Sequence, residues 1–127
     1  MAANNRVYVA YAAEDGFARE FLLEQAGKHG SRFEFVDLED KHAFDLTWKT
    51  RCKTLMKHCD GVIVLLSTHT EHSTPARWEI WCAKDHKMRV LGVHVSKENK
   101  GPTPPELAGA TVIDWTWTNI SQFLSSL

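Results

Sequence analysis

GVIVLLSTHTEHSTPARWEIWCAK, residues 61–84, is the stretch on whose reading the fold turns. It opens with an unbroken apolar run, Val62 to Leu66, the pattern of a strand buried on both faces in the middle of a parallel sheet. A polar loop follows, Ser67 to Ser73. Thr74 and Pro75 then read as a helix N-cap and first helical residue, since proline lacks only an amide hydrogen that the first turn leaves unused. The helix carries Trp78, Trp81 and Cys82 on one apolar side, with Glu79 between them about a turn in. A carboxylate flanked by tryptophans near a strand-to-helix loop is an unusual use of charge, and it makes Glu79 the leading candidate for chemistry.

The same alternation recurs on either side. Arg6 to Tyr11 (RVYVAY) reads as a strand and Ala12 to Gly16 (AAEDG) as the turn out of it. Phe17, Phe21, Leu22, Gln25 and Ala26 then follow helical spacing up to an exit at Gly27 to Gly30, where glycine suits a left-handed cap. Phe33 to Asp37 alternates apolar and polar residues like an edge strand with one covered face. After a charged loop, Leu38 to Asp45, the residues Trp48, Cys52, Leu55, Met56 and Cys59 form a core-facing helical stripe. Arg89 to Val95 is a further buried strand. Ser96 to Ala110, with Pro102, Pro104 and Pro105, is long for a compact domain and is either functional or mobile. Thr111 to Asp114 is the last strand, and Asn119 with Gln122 forms a capping box for a final helix burying Ile120, Phe123 and Leu124.

This order predicts an α/β fold: a doubly wound, flavodoxin-like sheet of five parallel strands in the order 2-1-3-4-5, as a single domain over 1–127. Only the second strand is patterned as an edge. In this topology the connections leave strands one and three in opposite directions and open a crevice at their carboxyl ends. Ala10 to Gly16 and Ser67 to Glu79 line it, which places Tyr11, Ala12, Asp15, Ser67, Thr68, Ser73 and Trp78 beside Glu79 as candidate substrate contacts.

Composition narrows the partners. The chain has 127 residues, 43% of them hydrophobic, and a formal net charge of -1 without Lys/Arg clusters. Neither nucleic acid nor an anionic membrane has an electrostatic reason to bind. The N-terminal MAANNRVYV lacks a charged-then-apolar leader and no apolar run is long enough to span a bilayer, so a cytoplasmic protein is expected. Cys52, Cys59 and Cys82 contain no CxxC pair and read as small buried hydrophobes in a reducing compartment.

Several doubly wound chemistries fail on these residues. A phosphoacceptor receiver needs an aspartate at the end of strand three, where Leu66 and Ser67 stand. AAEDG is not a hydroxyl-rich phosphate loop, and no GxGxxG occurs. What remains is Glu79, preceded by the hydroxyls of Ser67, Thr68, Thr70, Ser73 and Thr74. RVYVAYAAED resembles the opening of Toll/interleukin-1 receptor (TIR) and TIR-like domains, and DGVIVLLSTHT followed by RWEIWCAK resembles their third strand, loop and helix. FEFVDLED with the downstream Trp48 is similar to the bacterial TIR-like group that includes the ThsB subunits of Thoeris anti-phage systems. Ala10 stands where many members carry serine.

The resemblance implies an NAD-consuming enzyme with Glu79 as the catalytic glutamate, NAD being substrate and no cofactor or metal being required. Breaking the nicotinamide–ribose bond passes through an oxocarbenium-like state, and an ionised carboxylate beside the anomeric carbon stabilises that charge. Attack by water would give ADP-ribose; attack by an internal adenine nitrogen would give a cyclic product. The resemblance also implies self-association, a separate effector answering the nucleotide signal, a phage protein as trigger, and a mobile flap around Phe44 to Trp48. Other readings stand beside these. Glu79 can be a helix-dipole acid, Trp78 and Trp81 core, Glu14 and Asp15 caps, His69, Glu71 and His72 a solvated loop or a metal site, and Phe44 to Trp48 a helix start. At the level of the whole chain the alternative is a non-catalytic TIR-like interaction module. Phe44, Trp115 and Trp117 are the exposed candidates for self-association.

Overall fold

The computed structural model describes residues 5–41 and 43–127. The absence of a leader signature was read partly on residues 1–4, which lie outside the described residues, as does His42 in the charged loop. The elements are β1 (Arg6–Ala10), α1 (Gly16–Lys28), β2 (Glu34–Val36), α2 (Leu46–Lys57), β3 (Gly61–Leu66), α3 (Thr74–Asp85), β4 (Val90–His94), β5 (Thr111–Asp114) and α4 (Trp117–Ser125). All pairings are parallel and the strand order is β2-β1-β3-β4-β5, as the apolar patterning predicts. Every residue of β3 is buried. Val9 pairs with Ile63 and Val64 with Gly92, which fixes which side chains share a face.

Strand alternation sorts the core into two layers. Val7, Val9, Ile63, Leu65, Leu91 and Val93 point toward one face, where they meet Ala18 and Leu22 of α1 and Ile120 and Leu124 of α4. Tyr8, Ala10, Val62, Val64 and Leu66 point to the other and meet Trp48, Cys52 and Met56 of α2 and Ile80 and Ala83 of α3. A hydroxyl and a carboxylate, those of Tyr8 and Glu79, are thus folded into the second layer. No helix among the described residues is long and apolar enough to cross a membrane.

Local details differ from the sequence expectations. The cap of α3 is Ser73, whose hydroxyl accepts from the amide of Ala76, so Thr74 is the first helical residue. The cap of α4 is Thr116, accepting from Asn119, which places Asn119 inside the helix rather than at its cap. A Ser/Thr stretch offers several hydroxyls, and the one whose backbone is extended becomes the cap. In α1 the buried stripe is Ala18, Leu22 and Ala26, while Phe17 and Phe21 are 69% and 52% exposed. The exit of α1 does use a left-handed glycine, Gly30 at φ 65°.

Trp115 and Trp117 are not free surface either. Trp115 stacks on Phe21 and donates from its indole to Gln25, and Trp117 stacks on His29. Phe44 packs edge-on against Trp48. Among the described residues, the large exposed apolar side chains besides those of α1 are Leu46 and Trp81, at 79% and 46%.

The long β4–β5 connection is pinned. Arg77 of α3 grips Glu106 with its Nε 3.0 Å from both carboxylate oxygens, and Leu107 is buried beneath. Gly101, at φ 70°, lies against Thr68, where a Cβ would come within 2.8 Å of the Thr68 Cα.

All three cysteines are free and buried. Burial pushes the Cys59 thiol up to about 12, which suppresses its reactive thiolate. Because all three are enclosed, native protein is expected to label slowly with thiol reagents, even at Cys82, whose hydrogen bond with Cys52 lowers its thiol to about 7, and to show three thiols once denatured. A single fast-labelling native cysteine would mean that α2 and α3 do not close over the sheet as described.

Candidate active site

Ser73 starts α3 so that Ala76, Glu79, Ile80 and Ala83 recur along the face turned to the sheet. Glu79 is 0% exposed, so its carboxylate oxygens must be satisfied by protein rather than water. Oε1 accepts from the Lys41 ammonium at 2.8 Å, and Oε2 accepts from the Tyr8 hydroxyl. Tyr8 in turn accepts from the Cys52 thiol at 3.4 Å. Burial pushes the Glu79 carboxyl up to about 7, and Lys41 and Tyr8 hold it from rising further. Burial, and then the adjoining Glu79, raise the Tyr8 hydroxyl well above its ordinary range, so that it stays a donor.

Lys41 reaches this position from the loop between β2 and α2, with its side chain 1% exposed. Its Nζ lies 4.3 Å from the centroid of the Tyr11 ring and 5.9 Å from that of Trp48. The Tyr11 ring is itself held, because its hydroxyl donates to Asp37 at 2.5 Å and Asp37 accepts from Arg19 Nε at 3.1 Å. Burial, followed by the bond to Asp37, raises the Tyr11 hydroxyl. One carboxylate and two aromatic faces therefore surround a single ammonium.

The crevice at the carboxyl ends of β1 and β3 is bridged. The Ser67 hydroxyl donates to the Asp15 carboxylate across it, while the Ser67 amide donates to Thr70 and the His69 amide donates back to the Ser67 hydroxyl. Burial raises the Asp15 carboxyl and the bond from Ser67 opposes this. Ala12 is buried, and its carbonyl accepts from the Asp15 amide. Thr68 is exposed, Ser73 is committed to its capping bond, and Trp78 packs with Phe44 and Trp48 at ring separations of 6.3 Å and 5.9 Å. The candidates so divide into a buried group around Glu79 and Tyr11, a bridging pair of Asp15 and Ser67, and residues with separate local duties. Among the described residues, His69, Glu71 and His72 are not gathered into a metal-binding group. A cavity of about 700 Å³ lined by Lys84, Lys87 and Arg89 opens instead at the amino ends of β4 and β5.

Sequence reasoning missed Lys41, Tyr8 and the role of the Trp48 face. Lys41 stands in LEDKH, which reads as a solvated charge run. Tyr8 carried a usable signal: a hydroxyl inside a strand buried on both faces requires a buried partner.

The family model described as "Thoeris protein ThsB, TIR-like domain" matches residues 8–100, a span holding Tyr8, Tyr11, Lys41, Trp48 and Glu79. No curated protein matches the chain. A crystal structure of a 3-dehydroquinate dehydratase-like protein from Bifidobacterium longum is similar at a TM-score of 0.52 and 14% identity, covering 95% of this chain and 93% of the other, a likeness of fold alone.

Proposed function

This chain belongs to the Thoeris ThsB TIR-like domain family, and from that premise we propose that it is a cytoplasmic NAD-consuming enzyme of anti-phage defence with Glu79 as its catalytic carboxylate. The observation that carries the reading is a carboxylate folded into an apolar helix face of the core: Glu79 is fully buried in an aromatic-lined layer. As the bond between ribose and nicotinamide breaks, its electron pair passes to the pyridinium nitrogen, which becomes neutral. The anomeric carbon is left cationic beside Glu79. Water then adds and releases a proton to give ADP-ribose, or an adenine nitrogen adds to give a cyclic nucleotide. Tyr8 orients the carboxylate, and Asp15 and Ser67 supply polar contacts at the crevice. A separate effector reads the product, and a phage protein is the trigger.

Lys41 occupies Glu79 in this conformation, so substrate entry requires the β2–α2 loop to move. Neighbouring copies supply a means, through the exposed apolar Leu46 and Trp81. The activity of purified protein is therefore expected to rise more than linearly with its concentration. Strict linearity would sink the role of assembly. Complete absence of NAD loss across the range, crowded or dilute and with assembly verified, would sink the enzyme reading. The enclosure of Glu79 favours one rival, a TIR-like interaction module in which the Lys41–Glu79 pair is structural.

A further inference from the structure

The cavity of about 700 Å³ at the amino ends of β4 and β5 lies at the opposite end of the parallel sheet from the crevice. Three cations line it: Lys84 in the last turn of α3, Lys87 in the turn that follows, and Arg89 just before β4. Among the described residues no carboxylate lines this cavity, and none of the three cations takes part in an ion pair. Two are fixed by neutral acceptors instead. Lys84 donates to the Ala108 carbonyl at 2.8 Å, and the Arg89 guanidinium donates to the Ser126 carbonyl. One cation is thereby tied to the β4–β5 connection and the other to the end of α4.

The helix macrodipole accounts for a lysine in the last turn of α3. It does not account for Arg89, which lies outside the helix, nor for the backbone of Lys87, which is left-handed at φ 55°. A helix exit of that shape ordinarily falls to glycine or asparagine. A lysine kept there at a conformational cost points to a use for its side chain. The rest of the lining is mixed, with Ile113 and Phe123 apolar and Asn119 and Gln122 offering amides from α4. A cleft lined by one sign of charge concentrates the field that draws counter-ions, and this one has the volume of a small-molecule site.

We infer that this cavity is a second binding site, for a phosphate-bearing molecule of nucleotide size. Arg89 presents a planar fork of donors to phosphate oxygens, and Lys87 presents a point charge. Ile113 and Phe123 cover the uncharged portion, whose polar edges meet the Asn119 and Gln122 amides. The site shares no residue with the Glu79 cluster, so the inference stands whether or not the chain consumes NAD.

The test is calorimetric titration of the whole protein with ADP as the phosphate-bearing probe and adenosine as its uncharged counterpart. The parent is expected to bind ADP more tightly than adenosine at low salt, and to lose that affinity as sodium chloride is raised. Lys87→Gln combined with Arg89→Gln should weaken ADP binding about tenfold or more and leave adenosine unaffected. Both side chains are exposed, so the double variant should fold, with circular dichroism as the control. Equal affinity for ADP and adenosine, no binding of ADP, or ADP affinity unchanged in the folded double variant would overturn the proposal. Should the variant fail to fold, hydrogen exchange on the parent decides, because ADP should slow exchange across residues 108–113. Slowing confined to residues 10–16 and 67–73 would assign ADP to the crevice and overturn the second site.

Discussion

Glu79→Gln is expected to lower NAD turnover by about two to three powers of ten, the order found when one preorganised electrostatic group is removed from a reacting centre. Glutamine keeps the shape and one carbonyl acceptor for Lys41 or Tyr8, but it removes the negative charge that the developing oxocarbenium carbon requires. The loss should fall mainly on kcat, because the interaction strengthens as charge develops. The adenine and phosphate portions should still bind. The substitution also leaves Lys41 without its counter-ion. Since Lys41 is on a loop, its ammonium can return to water, so the variant is expected to fold with a more open β2–α2 connection rather than to collapse. Circular dichroism and thermal unfolding serve as controls. Folded Glu79→Gln protein consuming NAD at the parent rate would make Glu79 a structural acid and favour the interaction-module reading.

Removing the other partner should show its effect in stability and in its dependence on pH. Lys41→Met leaves Glu79 fixed on α3 with no cation, and an unpaired buried charge costs about 3 kcal/mol. The direction with pH follows from the raised carboxyl of Glu79, about 7 in the fold against the ordinary 4.5. Between these values the folded state holds a proton that the unfolded chain has lost, so the contribution is complete below pH 4.5 and is lost as pH rises through 7. Without Lys41 the folded value climbs further and the loss extends to more alkaline pH. Urea unfolding of parent and variant should consequently differ little near pH 4.5 and by about 3 kcal/mol near pH 9. A gap that is constant across this range would show that the ion pair does not form in solution.

How far each feature could be read from residues depended on its range along the chain. The β3 run from Val62 to Leu66, the stripe of Trp48, Cys52 and Met56, and the edge pattern of β2 sufficed for the architecture and strand order, since burial on one face or two imposes a period that neighbouring residues record. The same local logic singled out Glu79 as a charge in an apolar helix face. In α1 it found Leu22 and Ala26 but not Ala18, and it turned inward two phenylalanines, Phe17 and Phe21, that the structure leaves exposed. The site's other half had no local signature. Lys41 and Tyr8 lie 38 and 71 residues from Glu79 and meet it only because the β2–α2 loop folds back over the layer that β1 and α3 share. Amphipathic periodicity registers whether a side chain is buried. Which counter-ion a buried charge receives depends on which remote segment reaches it, and that was decided by the tertiary structure alone.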